Sequence, residues 1–148
     1  MSKCHPMTMS SGIPLLDVLP DAKPINADDF IVRSACGQWS ECQIDDVFVA
    51  VVGSESDGHD FAADAVARGA SAVIGERLMA VSGPQFLVDD SRLAFGQLCH
   101  ALAGRPSKRM CTIGIAGCNG KTVTSHLVQS ILKEAGMQAG LALSLIHI

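Results

Sequence analysis

Thr112-Ile-Gly-Ile-Ala-Gly-Cys-Asn-Gly-Lys-Thr122 carries an apolar run into a glycine-bearing loop that closes on Lys-Thr. This order reads as a buried strand delivering a phosphate-cradling turn to the start of a helix. Glycines let backbone N–H groups turn toward an anion, and the helix adds the positive end of its dipole at the same spot. Lys121 is then placed to reach the outer phosphates, and the Thr122 hydroxyl to hold a magnesium ion. The loop reads G-x-x-G-x-N-G-K-T, with Ile115 standing where the common G-x-x-x-x-G-K-[ST] pattern has its first glycine. A glycine-rich turn that binds nothing would need two glycines, Asn, Lys and Thr to fall in register after a strand by accident.

Downstream of the loop, Thr124, Leu127, Val128, Ile131, Leu132 and Ala135 recur at helical spacing, which predicts a helix that buries one face on a sheet and stops at Gly136. Residues 139–143 read as the next strand. Upstream, Gly104-Arg-Pro-Ser107 marks a boundary, since Pro106 cannot continue a helix. Before it, residues 47–52 form a β-branched and aromatic run that enters Gly53-Ser-Glu-Ser-Asp-Gly58, a buried strand followed by a loop. The period then switches to helical over 60–68, where Phe61, Ala62, Ala65 and Val66 share a face, and Gly69 reads as the C-cap. Short strands are expected at 71–75 and 85–88, and Asp89-Asp-Ser-Arg92 offers caps for a helix running to about residue 103. Residues 1–28 read as a weakly ordered lead-in whose only apolar patch is 13–19. Alternating strands and helices with short links give an α/β fold, and right-handed crossovers make the sheet of the second part parallel.

Composition narrows the function classes. A formal net charge of −4 with scattered Lys and Arg provides no basic patch for nucleic acid. No apolar run approaches the ~20 residues of a membrane helix, and residues 1–20 lack a signal-peptide core, so a cytoplasmic protein is expected. The six cysteines, Cys4, Cys36, Cys42, Cys99, Cys111 and Cys118, contain no C-x-x-C spacing. They read as reduced thiols, several acting as small core hydrophobes, with no disulfide or zinc set. His59 reads as a surface or capping residue, and His100 and His126 sit on predicted helices with no carboxylate at i+4. Trp39, the only tryptophan, reads as a hydrophobic anchor in preference to a base-stacking platform.

The loop form with Asn119 before Gly120-Lys121-Thr122 resembles the ATP loop of the Mur ligases, which add amino acids to the UDP-N-acetylmuramoyl peptide precursor of bacterial cell wall. Asp46-Val-Phe-Val-Ala-Val-Val-Gly-Ser-Glu-Ser-Asp-Gly-His-Asp-Phe61 and Ala65-Val-Ala-Arg-Gly-Ala-Ser-Ala-Val-Ile74 are similar to the N-terminal, UDP-binding domain of the members that add the third residue or the terminal dipeptide. The resemblance covers roughly residues 27–141, and the loop is more like the third-residue ligase (MurE type) than the dipeptide-adding one (MurF type). It implies a small mixed α/β UDP-precursor-binding domain at 29–105, followed at 109–148 by the first strand, loop and helix of a parallel-sheet P-loop domain. It further implies ATP contacts at Gly117, Cys118, Asn119, Gly120, Lys121, Thr122 and Val123, with Mg2+ on Thr122. Cys118 and Val123 replace threonines usual in the family, so two hydroxyl contacts are lost.

For the UDP substrate the resemblance points to Ser54, Glu55 and Ser56, whose plain alternative is a polar turn. Where the family has Asp-Ser-Arg before the first of these strands, this chain has Arg33-Ser-Ala-Cys-Gly-Gln-Trp-Ser40, in which Ser34 or Ser40 stands in. Asp90-Ser91-Arg92 reads as a helix cap. The family's substrates would be a UDP-N-acetylmuramoyl peptide and an amino acid. Its carboxylate-activating residues lie in later domains, so no catalytic residue is expected in these 148 residues, and a C-terminally truncated chain is expected. The competing classes are a dipeptide-adding ligase fragment, a non-catalytic nucleotide-sugar binding module and an unrelated P-loop ATPase. Neither the amino acid added nor the oligomeric state is legible.

Overall fold

The computed structural model describes residues 3–4, 12–28, 30–53 and 56–143. They divide into two compact units, Met1–Arg109 and Met110–Ile148. In the first unit the chain runs β1 (Lys3–Cys4), β2 (Ile13–Pro14), α1 (Leu15–Val18), β3 (Lys23–Ile25), β4 (Ile31–Val32), β5 (Ala35–Cys36), β6 (Val47–Val49), α2 (Ala62–Ala67), β7 (Ala72–Gly75), β8 (Gln85–Leu87) and α3 (Ser91–Leu102). Single 3-10 turns at Trp39–Glu41 and Gly58–Phe61 precede β6 and α2 respectively. The sheet has the order β1-β5-β6-β7-β8-β3. Its four central strands are parallel, and β1 and β3 close the two edges antiparallel. A separate two-stranded pair joins β2 to β4.

Strand periodicity explains why 47–50 is apolar at every position. Successive side chains point to opposite faces, so Val47 and Val49 join one core with Ala35, Ala72, Ile74 and Phe86. Phe48 and Ala50 join the other with Cys36 and Val73. Leu15 and Leu19 of the α1 region and Ala94, Leu98 and Leu102 of α3 cover the first face. Ala62 and Ala65 of α2 cover the second. The central strands are therefore buried on both sides, as parallel strands generally are. Each fully buried Phe, Phe48 and Phe86, contributes about 1.5–3 kcal/mol of burial. Phe30 adds an edge-to-face contact on Phe86 at 6.1 Å between centroids.

Three expectations for this unit change in the structure. Residues 12–28 are not a loose lead-in, because Leu15, Leu19 and Ala22 are buried core residues and β3 completes a sheet edge. The strand expected over 47–52 ends at Val49, where the Val51 N–H bonds back to the Val49 carbonyl and Val52 turns to bridge Asp57. The helix expected over 60–68 begins as a 3-10 turn and is α-helical only over Ala62–Ala67. Its end matches the sequence reading: Gly69 has φ of 103°, and the Gly69 and Ala70 N–H groups bond to Val66 and Ala65 carbonyls in a Schellman closure.

Among its described residues the second unit holds one regular element, α4 (Lys121–Glu134), ended at Gly136 by the same closure, with Gly136 and Met137 bonding back to Lys133 and Leu132. The strands expected at 110–116 and 139–143 are not formed. A strand needs a ladder neighbour about 4.8 Å away, and among the described residues none pairs with either segment. For the same reason α4 does not bury its apolar face, and Leu127 and Ile131 are largely exposed. No helix among the described residues is long and apolar enough to cross a membrane.

Candidate functional site

The glycine loop of the second unit has the shape its sequence predicts at the helix start. Gly120 occupies the left-handed region at φ 77°, which an L side chain adopts only at a cost of about 1–2 kcal/mol, and α4 begins at the next residue. No side chain caps that end, which leaves the first-turn N–H groups without a side-chain acceptor. The Lys121 side chain curls back over the loop, its Nζ donating to the Gly117 carbonyl at 2.6 Å and to the Cys118 carbonyl at 3.3 Å. Ser125, one turn on, donates to the Lys121 carbonyl and is the one buried residue of the helix. An anion arriving at the loop would thus meet an uncapped helix start, its dipole end and an ammonium held over the turn. Cys118, Asn119, Thr122 and Val123 lie on the same exposed turn.

In the first unit the predicted substrate residues do not converge equally. Ser54 and Glu55 fall outside the described residues. Ser56 is exposed, and its carbonyl accepts from the Gly53 N–H at 2.9 Å. Ser34 is buried, and its hydroxyl donates to the Asp46 carboxylate, which also accepts from the Gln43 N–H at 2.8 Å. That bond gives Ser34 a structural task at the entry to β6. Ser40 accepts from the Arg68 guanidinium through its carbonyl. Trp39 stacks on Phe61 at 5.7 Å, with the Arg68 guanidinium over its ring at 5.2 Å, so it is an internal anchor.

A polar network at the C-terminal ends of β6, β7 and β8 was not legible as one. His59 is buried, not the surface or capping residue its sequence context suggests, because the chain after Val52 folds back under β7. Its Nε2 accepts from the Glu76 N–H at 2.8 Å, so the proton sits on Nδ1, which donates to Asp57 at 2.5 Å. Asp57 also caps the 3-10 turn by accepting from the His59 N–H and pairs with Arg77 at 2.9 Å. The His59 backbone bond, then the His59 side-chain bond and the Arg77 charge, lower the Asp57 carboxyl to about 2. Glu76 is also lowered, by the Ser91 N–H and then its hydroxyl, which reach one oxygen at 2.9 and 2.8 Å. Asp90 caps α3 by accepting from the Leu93 N–H, as read from sequence, and Arg92 reaches back to the Val52 carbonyl at 2.8 Å.

These bonds pin the loops that leave three neighbouring parallel strands, which is where open α/β sheets bind ligands. A cleft of about 250 Å³ lies beside them, lined by His59, Asp60, Ala62, Arg77 and Met79 among others. Both His59 nitrogens are thus engaged, and the ring ties these loops together. The one sequence signal for the network was Asp57-Gly58-His59, whose pairing needs the tertiary turn.

A model of the Mur ligase family, catalytic domain, matches residues 40–99, the stretch that contains this network. Residues 40–99 are a Mur ligase family segment. It is 46% identical over 95 residues to the UDP-N-acetylmuramoyl-L-alanyl-D-glutamate–2,6-diaminopimelate ligase of Aquifex aeolicus (strain VF5), an alignment covering 64% of this chain and 20% of that protein. Among solved structures, MurF from Acinetobacter baumannii superposes with a TM-score of 0.59 at 27% identity, over 84% of this chain and 28% of that one. MurF ligase from Thermotoga maritima, solved in complex with ADP, gives a TM-score of 0.51 at 33% identity over 68% and 23%. The chain therefore spans about a fifth of the length of the curated relative, and the mixed α/β architecture is that of Mur ligases.

Proposed function

We propose that this chain is part of an ATP-dependent ligase that adds the third residue, such as diaminopimelate or lysine, to UDP-N-acetylmuramoyl-L-alanyl-D-glutamate in cytoplasmic peptidoglycan synthesis. The observation that carries the reading is the 46% identity to a diaminopimelate-adding ligase. The loop supports it, since its uncapped helix start and overlying Lys121 suit a polyphosphate. Residues 29–105 would hold the UDP-linked precursor through the turn at 53–58, where Ser54, Glu55 and Ser56 lie. Residues 109–148 would open the ATP-binding domain.

In this reading the precursor carboxylate attacks the γ-phosphoryl group of ATP and releases ADP, and an amine then displaces phosphate from the acyl phosphate. Phosphoryl transfer needs charge stabilisation more than covalent help. The loop N–H groups between Gly117 and Val123 and the Lys121 ammonium would supply it, Lys121 exchanging its two carbonyl acceptors for phosphate oxygens. Thr122 would hold Mg2+, which when bound offsets phosphate charge. A dipeptide-adding ligase is the second reading, favoured by the superposition on MurF structures, but those identities of 27% and 33% fall below the match to the third-residue ligase.

The test is a chimera in which this chain replaces the matching segment of a diaminopimelate ligase. The chimera should couple diaminopimelate to the UDP-muramoyl dipeptide. Lys121→Ala should cut ATP turnover at least ~10-fold, since a lost charged hydrogen bond costs roughly 1.5–3 kcal/mol. Unchanged steady-state kinetics in the variant would remove Lys121 from that role.

A further inference from the structure

Cys36 and Cys42 lie on the α2 face of the sheet, in the core that also holds Phe48, Ala50, Ala62 and Val73. Cys36 ends β5, and Cys42 follows the 3-10 turn at Trp39–Glu41, so the intervening chain folds back and sets one sulfur against the other at 2.6 Å. Asp46 completes a buried group in which the ligand atoms of all three residues lie within 4.8 Å of one another. Two chemistries use such a group, a bound metal ion and a disulfide.

Geometry separates them. Two sulfurs on one tetrahedral zinc sit roughly 3.8 Å apart, given Zn–S near 2.3 Å, so these would have to move more than ~1 Å apart inside a packed core. Asp46 is also committed, accepting from the Ser34 hydroxyl and the Gln43 N–H. A disulfide needs the sulfurs about 2.05 Å apart, a closure of roughly 0.6 Å. We propose that Cys36 and Cys42 are a modification site, a vicinal dithiol that oxidises reversibly to an internal disulfide. This inference does not depend on the ligase reading.

The step balances with a small-molecule disulfide as oxidant. Cys42, a residue 5% exposed against 0% for Cys36, is the point of entry; its sulfur as thiolate attacks the oxidant, forming a mixed disulfide and releasing one thiol. The Cys36 sulfur then attacks Cys42, breaking the mixed bond and releasing the second thiol. Two protein thiols are oxidised, one disulfide is reduced, and the two protons pass to the released thiolates. The product ties the end of β5 to the segment entering β6 and encloses Trp39, whose ring stacks on Phe61 under Arg68.

The whole chain would be incubated with oxidised glutathione, alkylated under denaturing conditions and mapped by mass spectrometry without reduction. The expected result is a Cys36–Cys42 cross-link as the major species, reversed by dithiothreitol, with exposed Cys111 and Cys118 recovered as glutathione adducts. Oxidation should raise the Tm reported by Trp39 fluorescence by at least ~5 °C, because the closed loop restricts the unfolded chain. Cys42→Ala should show no rise; the mapping needs no variant, so the proposal stays testable if that protein fails to fold. Recovery of Cys36 and Cys42 as separate alkylated thiols overturns the proposal. So does one equivalent of tightly held zinc, which would make the group a metal site.

Discussion

His59→Phe replaces a buried ring of similar shape while removing both nitrogens, and so isolates what the network at the strand ends contributes. The Glu76 N–H loses the acceptor it now meets at 2.8 Å. An N–H left unpaired against a buried ring costs about 1–3 kcal/mol. Asp57 loses the bond from Nδ1 but keeps the backbone N–H of residue 59 at 3.0 Å and Arg77 at 2.9 Å, so that loss is smaller, about 0.5–1.5 kcal/mol. The sum is about 1.5–4.5 kcal/mol, read in urea unfolding followed by Trp39 fluorescence at fixed protein concentration. For a slope of ~1.5–2 kcal/mol/M the midpoint should fall by roughly 0.8–3 M with the slope unchanged. A variant within ~0.5 kcal/mol of the parent would refute the reasoning, because it would mean that Glu76 and Asp57 find equal partners without the imidazole.

Gly75→Ala should reproduce most of that loss by another route, since a methyl there would stand 2.8 Å from both His59 Nε2 and the Met79 terminal carbon. The ring is held at both nitrogens and cannot swing aside, so a cost of about 1–3 kcal/mol is expected in the same urea assay. Acid titration of stability gives an independent check. Asp57 is lowered from 3.8 to about 2, and Glu76 is lowered as well. Groups depressed in the fold contribute above their unfolded values and lose that contribution as pH falls through the folded ones. Unfolding free energy should therefore drop between about pH 4 and 2, and Asp57→Asn should flatten that drop; an unchanged acid limb would contradict the assignment.

The fold was readable where local and global signals agreed. The run at 47–50 is apolar on both strand faces because two cores need it, and the Asp90 cap and the Gly69 and Gly136 closures follow from backbone chemistry local to each helix end. Sequence reading failed where pairing is not local. Residues 110–116 have strand composition but no ladder neighbour among the described residues, and Leu15 and Leu19 sit in a Pro- and Ser-rich stretch that hides their burial. At the candidate sites the glycine turn and helix start at Gly120–Lys121 were legible because glycines, lysine and helix start are contiguous. The His59 network was not, because its partners come from 57, 76, 77 and 91 and meet only once three parallel strands lie side by side. Cys36 and Cys42 escaped for the same reason, their separation matching no ligand spacing until the turn at Trp39–Glu41 folds them together.

The most direct test of the account is a calorimetric titration of UDP-N-acetylmuramoyl-L-alanyl-D-glutamate into this chain, with UDP as competitor. The account predicts saturable binding at one site with Kd below ~1 mM, stronger than about −4.1 kcal/mol, and displacement by UDP. Absence of heat at millimolar ligand, from a chain whose Trp39 fluorescence reports a folded first unit, would contradict the assignment of residues 29–105 to the UDP-linked precursor.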